Sequence, residues 1–179
     1  MKFQSVEDIY SANRAAAQRF RSVVSGVSEA EASARPEGEN WSIAEIVEHV
    51  SIVDSGIAML CSRLLEGAKA AGKESKGSVA VSDDFLAGAM RVATEKLEAP
   101  DRVKPTGSVA ISDSVAKMDA NAATIEKLGE ELSKFDLSSP TFPHPYLGDM
   151  TAAEWLVMYG GHQARHAAQI ERVLEKIRQ

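Results

Sequence analysis

This chain of 179 residues has little cysteine, little aromatic character and a deficit of positive charge. Its single cysteine, Cys61, cannot form an internal disulfide or contribute to a thiolate cluster. The sequence therefore reads as a cytoplasmic protein whose metal ligands, where it has any, are nitrogen and oxygen. Aromatic residues make up 6% of the chain, and no long stretch alternates apolar with polar residues, so there is little from which to build a sheet. Twenty Lys and Arg stand against twenty-six Asp and Glu, a formal net charge of −6, and the basic residues are scattered. No nucleic-acid partner is expected on that ground. Every long apolar stretch is broken by a charged residue, and the first eight residues lack an apolar signal core, so neither a membrane span nor export is expected. The length fits one domain over residues 1–179.

What the chain does contain is 27 alanines and a clear 3.6-residue periodicity, which predicts an all-α protein. Val6, Ile9, Tyr10, Phe20, Val23 and Val24 form one stripe from Ser5 to about Ser25, with Ser5 and Asp8 as a capping pair. Residues 28–40 carry a Pro and a Gly and read as a connector with one short turn. Ser42 and Glu45 form a capping box for a second long helix reaching about Ala70. The Gly-, Ser- and Lys-rich segment 71–82 reads as a mobile loop, followed by a shorter helix over 83–97. After a Pro-Thr-Gly connector at 99–112, Ser112 or Asp113 caps a third long helix through Leu132. Segment 136–150, with three prolines, is expected to cross the bundle end as an ordered loop. Thr151 and Glu154 then start a fourth long helix to about Ile177, roughly 40 Å at about 1.5 Å per residue.

Three of the four histidines fall on the inward stripes: His49 on the second long helix, His162 and His166 on the fourth. Four residues apart, His162 and His166 project from one face, so both can reach one ion at about 2.0–2.1 Å. His49 can supply a third ligand. Unpartnered burial would cost about 1–3 kcal/mol per imidazole, whereas one shared divalent cation satisfies a nitrogen of each ring. Three protein ligands leave a position open, as in catalytic sites. The alternative is that His49 is a core histidine bonded to a backbone carbonyl or to a carboxylate such as Glu45.

The runs Trp41-Ser42-Ile43-Ala44-Glu45-Ile46-Val47-Glu48-His49-Val50, His144-Pro145-Tyr146-Leu147-Gly148-Asp149-Met150-Thr151 and Gly161-His162-Gln163-Ala164-Arg165-His166-Ala167-Ala168-Gln169-Ile170 resemble, in order along the chain, the DinB and YfiT-like superfamily of metal-dependent enzymes. The resemblance implies a four-helix bundle of up-down-down-up connectivity, here with an extra short helix in a connecting segment. It also implies a metal held by His49, His162 and His166. Some members resemble thiol transferases that use bacillithiol or mycothiol, others were proposed as hydrolases, and the fold does not choose between them.

Two enzymatic readings and one non-enzymatic reading stay open. The ion activates a low-molecular-weight thiol or a water for reaction with a small-molecule substrate. A thiol would come from outside, because Cys61 lies about 18 Å along the helix from His49. A water would need a base, for which Glu45 and Glu48 are the nearest candidates. His144, Tyr159, Arg165 and Gln169 are candidates for the substrate pocket, although Tyr159, with Trp155 and Met158, is first of all bundle core. Zinc and nickel suit three imidazoles best, with iron and cobalt behind them. The third reading is a non-catalytic, dimeric bundle in which the metal or a histidine network only stabilises the fold. The resemblance and the amphipathic first helix point to a homodimer in either case.

Overall fold

The computed structural model of the chain describes residues 3–95 and 97–179. Six α-helices account for most of it: α1 (Val6–Ser25), α2 (Glu29–Ser33), α3 (Ile43–Ala71), α4 (Asp83–Thr94), α5 (Ile111–Leu132) and α6 (Ala152–Ile177). A 3-10 turn (Asp101–Val103) and a hairpin of β1 (Thr141–His144) and β2 (Gly148–Thr151) complete it. Capping boxes at Ser5–Asp8, Ser42–Glu45 and Thr151–Glu154 start α1, α3 and α6 where the sequence places them. The 28–40 connector carries its own box, Ser28–Glu31, at the start of the single turn of α2.

Cross-helix bonds fix the directions of the long helices. Asn121 donates to Ser55 at 2.9 Å and Lys69 pairs with Glu131 at 3.4 Å, so α3 and α5 run parallel. The Tyr10 hydroxyl reaches the Ile125 carbonyl at 2.7 Å while Arg21 pairs with Asp119, which makes α1 antiparallel to α5. Arg19 meets Glu171 at 2.7 Å and Arg178 meets the Gly26 carbonyl, so α1 and α6 are parallel. The result is up-down-down-up. Two consecutive long helices in parallel require a return along the bundle, and residues 72–110 make it. At the end of that return the Glu48 carboxylate accepts from the Thr106 and Gly107 N–H groups and from the Thr106 hydroxyl.

Four expectations need correction. Segment 71–82 is tied down rather than loose: Ser75 N–H donates to Lys134 O at 2.8 Å, Asp136 N–H to Lys73 O at 2.9 Å and Val79 N–H to Gln4 O at 3.1 Å. The shorter helix ends at Thr94 rather than at Leu97, and position 96 lies outside the described residues. Helix α5 starts at Ile111 with Ala110 before it and no side-chain cap, so Ser112 and Asp113 sit inside its first turn. Segment 136–150 is not irregular throughout: Phe142 pairs with Met150 and His144 with Gly148 in an antiparallel register, and Gly148 takes φ +73° where the strand resumes. Pro143 is tolerated because a two-stranded ribbon has only edges. No helix among the described residues is long and apolar enough to cross a membrane.

Two apolar clusters fill the bundle. One gathers Ile9, Ile57, Leu65, Leu132 and Leu156, the other Phe20, Ile46, Val50, Ile170 and Val173. Between them in chain position on each helix lie buried polar residues: Asn13 on α1, Ser51 and Asp54 on α3, His162, Gln163 and His166 on α6. Such a layer is costly unless its members find partners or ligands.

Candidate metal centre

His49, His162 and His166 meet inside the bundle, at 5%, 6% and 3% exposure. Each offers one ring nitrogen, and the three nitrogens lie within 4.8 Å of one another. Ring centroids are 5.1 Å apart for His49–His162, 5.0 Å for His49–His166 and 4.4 Å for His162–His166. The antiparallel packing of α3 on α6 brings His49 to the pair, and one helical turn separates the pair's members. Trp41 closes on the other side of His49 at 4.8 Å.

The hydrogen bonds set the rings. His49 Nδ1 lies 2.7 Å from the Val103 carbonyl of the 3-10 turn, and His166 Nδ1 lies 2.7 Å from Gln169 Oε1. An imidazole that donates at Nδ1 presents a lone pair at Nε2, the arrangement metal-ligating histidines use. Two buried nitrogens of the cluster, His162 Nδ1 and His166 Nε2, have no partner. All three rings are neutral at physiological pH. Burial pulls His49 below its usual value against the opposing Val103 bond, and pulls His162 well below it and His166 to about 3, with neighbouring rings adding to the shift at His162 and His166 and the Arg165 charge at all three. Neutral imidazole is the form that ligates.

The carboxylates nearest in sequence are committed elsewhere. Glu45 holds Arg35 at 2.6 Å and the Ser42 N–H at 2.7 Å. Glu48 is buried but has both oxygens on the 106–107 backbone, so it serves as a cap for that turn. Cys61 is fully buried among apolar side chains, its thiol pushed up to about 12 by burial. Of the pocket candidates, Gln169 orients His166, and Arg165 donates to the Glu95 carbonyl at 2.9 Å. His144 lies half-buried on β1 rather than on an open loop, 5.4 Å from the Trp155 ring, and accepts from the Tyr146 N–H. Burial, with Arg102 nearby, lowers it to about 4.

Tyr159 belongs to a second polar group that the sequence reading did not single out. Asp54 is 0% exposed and accepts from Gln163 Nε2 at 2.7 Å, while Asp54 Oδ1, Gln163 Oε1 and the Tyr159 hydroxyl are buried without partners. Burial raises Asp54 to about 8, against the opposing bond from Gln163. A signal was available: Asp54 falls four residues after Val50 and three before Ile57, on the apolar stripe of α3.

These features define a four-helix bundle with a three-histidine centre across its second and last long helices. The family model described as the DinB superfamily matches residues 12–170, and the chain belongs to that superfamily. A curated relative, the uncharacterized protein YuaE of Bacillus subtilis (strain 168), is 26% identical over 158 residues, covering 85% of this chain and 88% of that protein. A solved structure, TT2238, titled a four-helix bundle protein, aligns with TM-score 0.60 at 18% identity, covering 93% of this chain and 98% of that one. At that identity the likeness speaks for the fold alone.

Proposed function

We propose that the protein is a metal-dependent enzyme acting on a small molecule, with one divalent transition ion held by His49, His162 and His166. The observation that carries this reading is the convergence of three buried, neutral imidazoles that includes two nitrogens, His162 Nδ1 and His166 Nε2, without any partner. Each such nitrogen costs about 1–3 kcal/mol. Zinc and nickel are the first candidates for the ion, ahead of iron and cobalt. When bound, the ion supplies the acidity that makes a thiol or a water nucleophilic at neutral pH.

The chain's own residues favour the thiol. Water attack gains from a base beside it, and both carboxylates of Glu45 and Glu48 are engaged in caps. Cys61, buried in the apolar cluster, is unavailable as a nucleophile, so the sulfur comes from a low-molecular-weight cosubstrate. What the protein does is hold the His49 and His166 rings in one tautomer, through the Val103 carbonyl and Gln169, and bury all three rings away from water. A lone buried cysteine supports a cytoplasmic setting.

Elemental analysis of untagged protein, purified without added metal, tests the reading. We expect about one transition ion per chain in the wild type and none in the His162→Ala/His166→Ala double variant. No ion in the wild type, even after reconstitution with zinc and nickel, overturns the site and favours a bundle that binds a partner or ligand without chemistry. Sedimentation of the same preparation reads the expected homodimer.

A further inference from the structure

Arg165 lies on α6 three residues after His162 and one before His166, which places it on the flank of the pair. Its side chain is half-buried, and Nη2 donates to the Glu95 carbonyl at 2.9 Å. Among the described residues no carboxylate comes within 4.0 Å of its guanidinium. Most other arginines are paired, among them Arg19 with Glu171, Arg35 with Glu45, Arg172 with Glu39 and Arg178 with Glu31; Arg63 and Arg102, which have no such carboxylate among the described residues, are exposed to water, whereas Arg165 is half-buried. A half-withdrawn guanidinium served only by a main-chain carbonyl keeps most of its donor fork free, in a shape that matches a carboxylate.

The surroundings of the triad are equally short of negative charge. Among the described residues no carboxylate hydrogen-bonds any of the three rings, and Glu45 and Glu48 are fixed in caps. Arg165 acts electrostatically on all three rings, and the Arg102 charge acts the same way on His144. A divalent ion on neutral imidazoles beside an unpaired arginine leaves a centre whose neutralising charge the chain does not provide. Buried uncompensated charge is costly, so that charge has to come with the ligand. One ionised sulfur or oxygen compensates the ion only in part and leaves Arg165 unmatched.

We infer that the small molecule taken by this centre carries an anionic group, a carboxylate, apart from its reacting atom, and that Arg165 is the residue that binds it. This rests on the metal-site reading above. Arg165 thereby selects among thiols by what they carry at the far end, favouring carboxylated ones over neutral or cationic ones.

The test uses cobalt-loaded protein titrated calorimetrically with 3-mercaptopropionate and with its neutral counterpart of equal chain length, 3-mercapto-1-propanol. We expect the carboxylated thiol to bind about tenfold more tightly to the wild type, the factor one charge-assisted pair contributes. In Arg165→Gln the ratio falls to about one, with cobalt per chain unchanged. Arg165→Lys serves if the Gln variant does not fold: it lowers the ratio, and an unchanged ratio overturns the assignment. Equal binding of the two thiols by the wild type, or an equal loss for both in Arg165→Gln, also overturns it while leaving the metal site intact. Failure of the wild type to take cobalt overturns the metal-site reading and this inference with it.

Discussion

Two buried polar groups share the layer between the apolar clusters, and they solve the same problem differently. The histidine centre anchors two of its rings through one nitrogen, on the Val103 carbonyl and on Gln169, and turns nitrogens inward. The Asp54 group closes on itself, Gln163 donating to Asp54, and leaves three oxygens unsatisfied. Both draw on α3 and α6. The difference lies in the donors: neutral imidazoles converge in a set that could hold a borderline ion, whereas a lone buried carboxylate beside an amide and a phenol settles its charge by taking a proton. Burial alone therefore does not mark a functional site; the geometry of the lone pairs does.

The sharpest way to break this comparison is to add metal. Zinc at about 1,000 times its dissociation constant should raise the unfolding free energy by about 4 kcal/mol in the wild type and leave His162→Ala/His166→Ala unmoved, as read by urea unfolding. Equal stabilisation of both proteins would place the ion elsewhere.

Acid comes next and acts on the metal-free centre. Burial depresses the folded-state histidines, His166 to about 3, below the ordinary 6.5, so between those values the unfolded chain binds more protons. The stability contributed by the neutral rings is present above pH 6.5 and is lost as pH falls, for His166 at about 1.4 kcal/mol per pH unit down to about 3, with His49 and His162 acting in the same direction. Urea midpoints across that range check it, and a flat profile would mean the rings protonate in place.

Asp54 has the opposite sign. Its folded value, about 8, lies above the ordinary 3.8, so the unfolded chain gains by ionising as pH rises, and stability falls from pH 4 toward 8. Asp54→Asn keeps an acceptor while removing the charge, and should raise stability by about 2 kcal/mol at pH 7.5 and by nothing measurable below pH 4. Metal content should not change in this variant, which separates the two groups. The smallest effect is expected at Gln169: Gln169→Leu frees the His166 ring to turn, and zinc affinity should drop about tenfold with little change in metal-free stability.

The legibility of the fold followed the range of the interactions involved. Ser42 with Glu45 and Thr151 with Glu154 act over three residues and could be read directly, and so could the stripes of α1, α3 and α6. The hairpin was missed because Thr141–His144 and Gly148–Thr151 are short, carry three prolines with the approach to them, and show no alternation; what holds them is the end of the bundle, where Met150 is buried and Trp155 Nε1 donates to the Phe142 carbonyl at 3.2 Å. Glu48 looked like a free acid because its partners, Thr106 and Gly107, are nearly sixty residues away.

By itself, the sequence determined the long helices, the start points of α1, α3 and α6 and the inward placement of His49, His162 and His166, since helical periodicity and capping are local properties of the chain. Only the tertiary structure decided that those rings meet, that Glu45 and Glu48 are engaged as caps, and that Arg165 has no acidic partner among the described residues. Those outcomes depend on how α3 and α6 cross and on where the return segment 72–110 sets its carbonyls and amides, and such distances arise only when remote parts of the chain pack together.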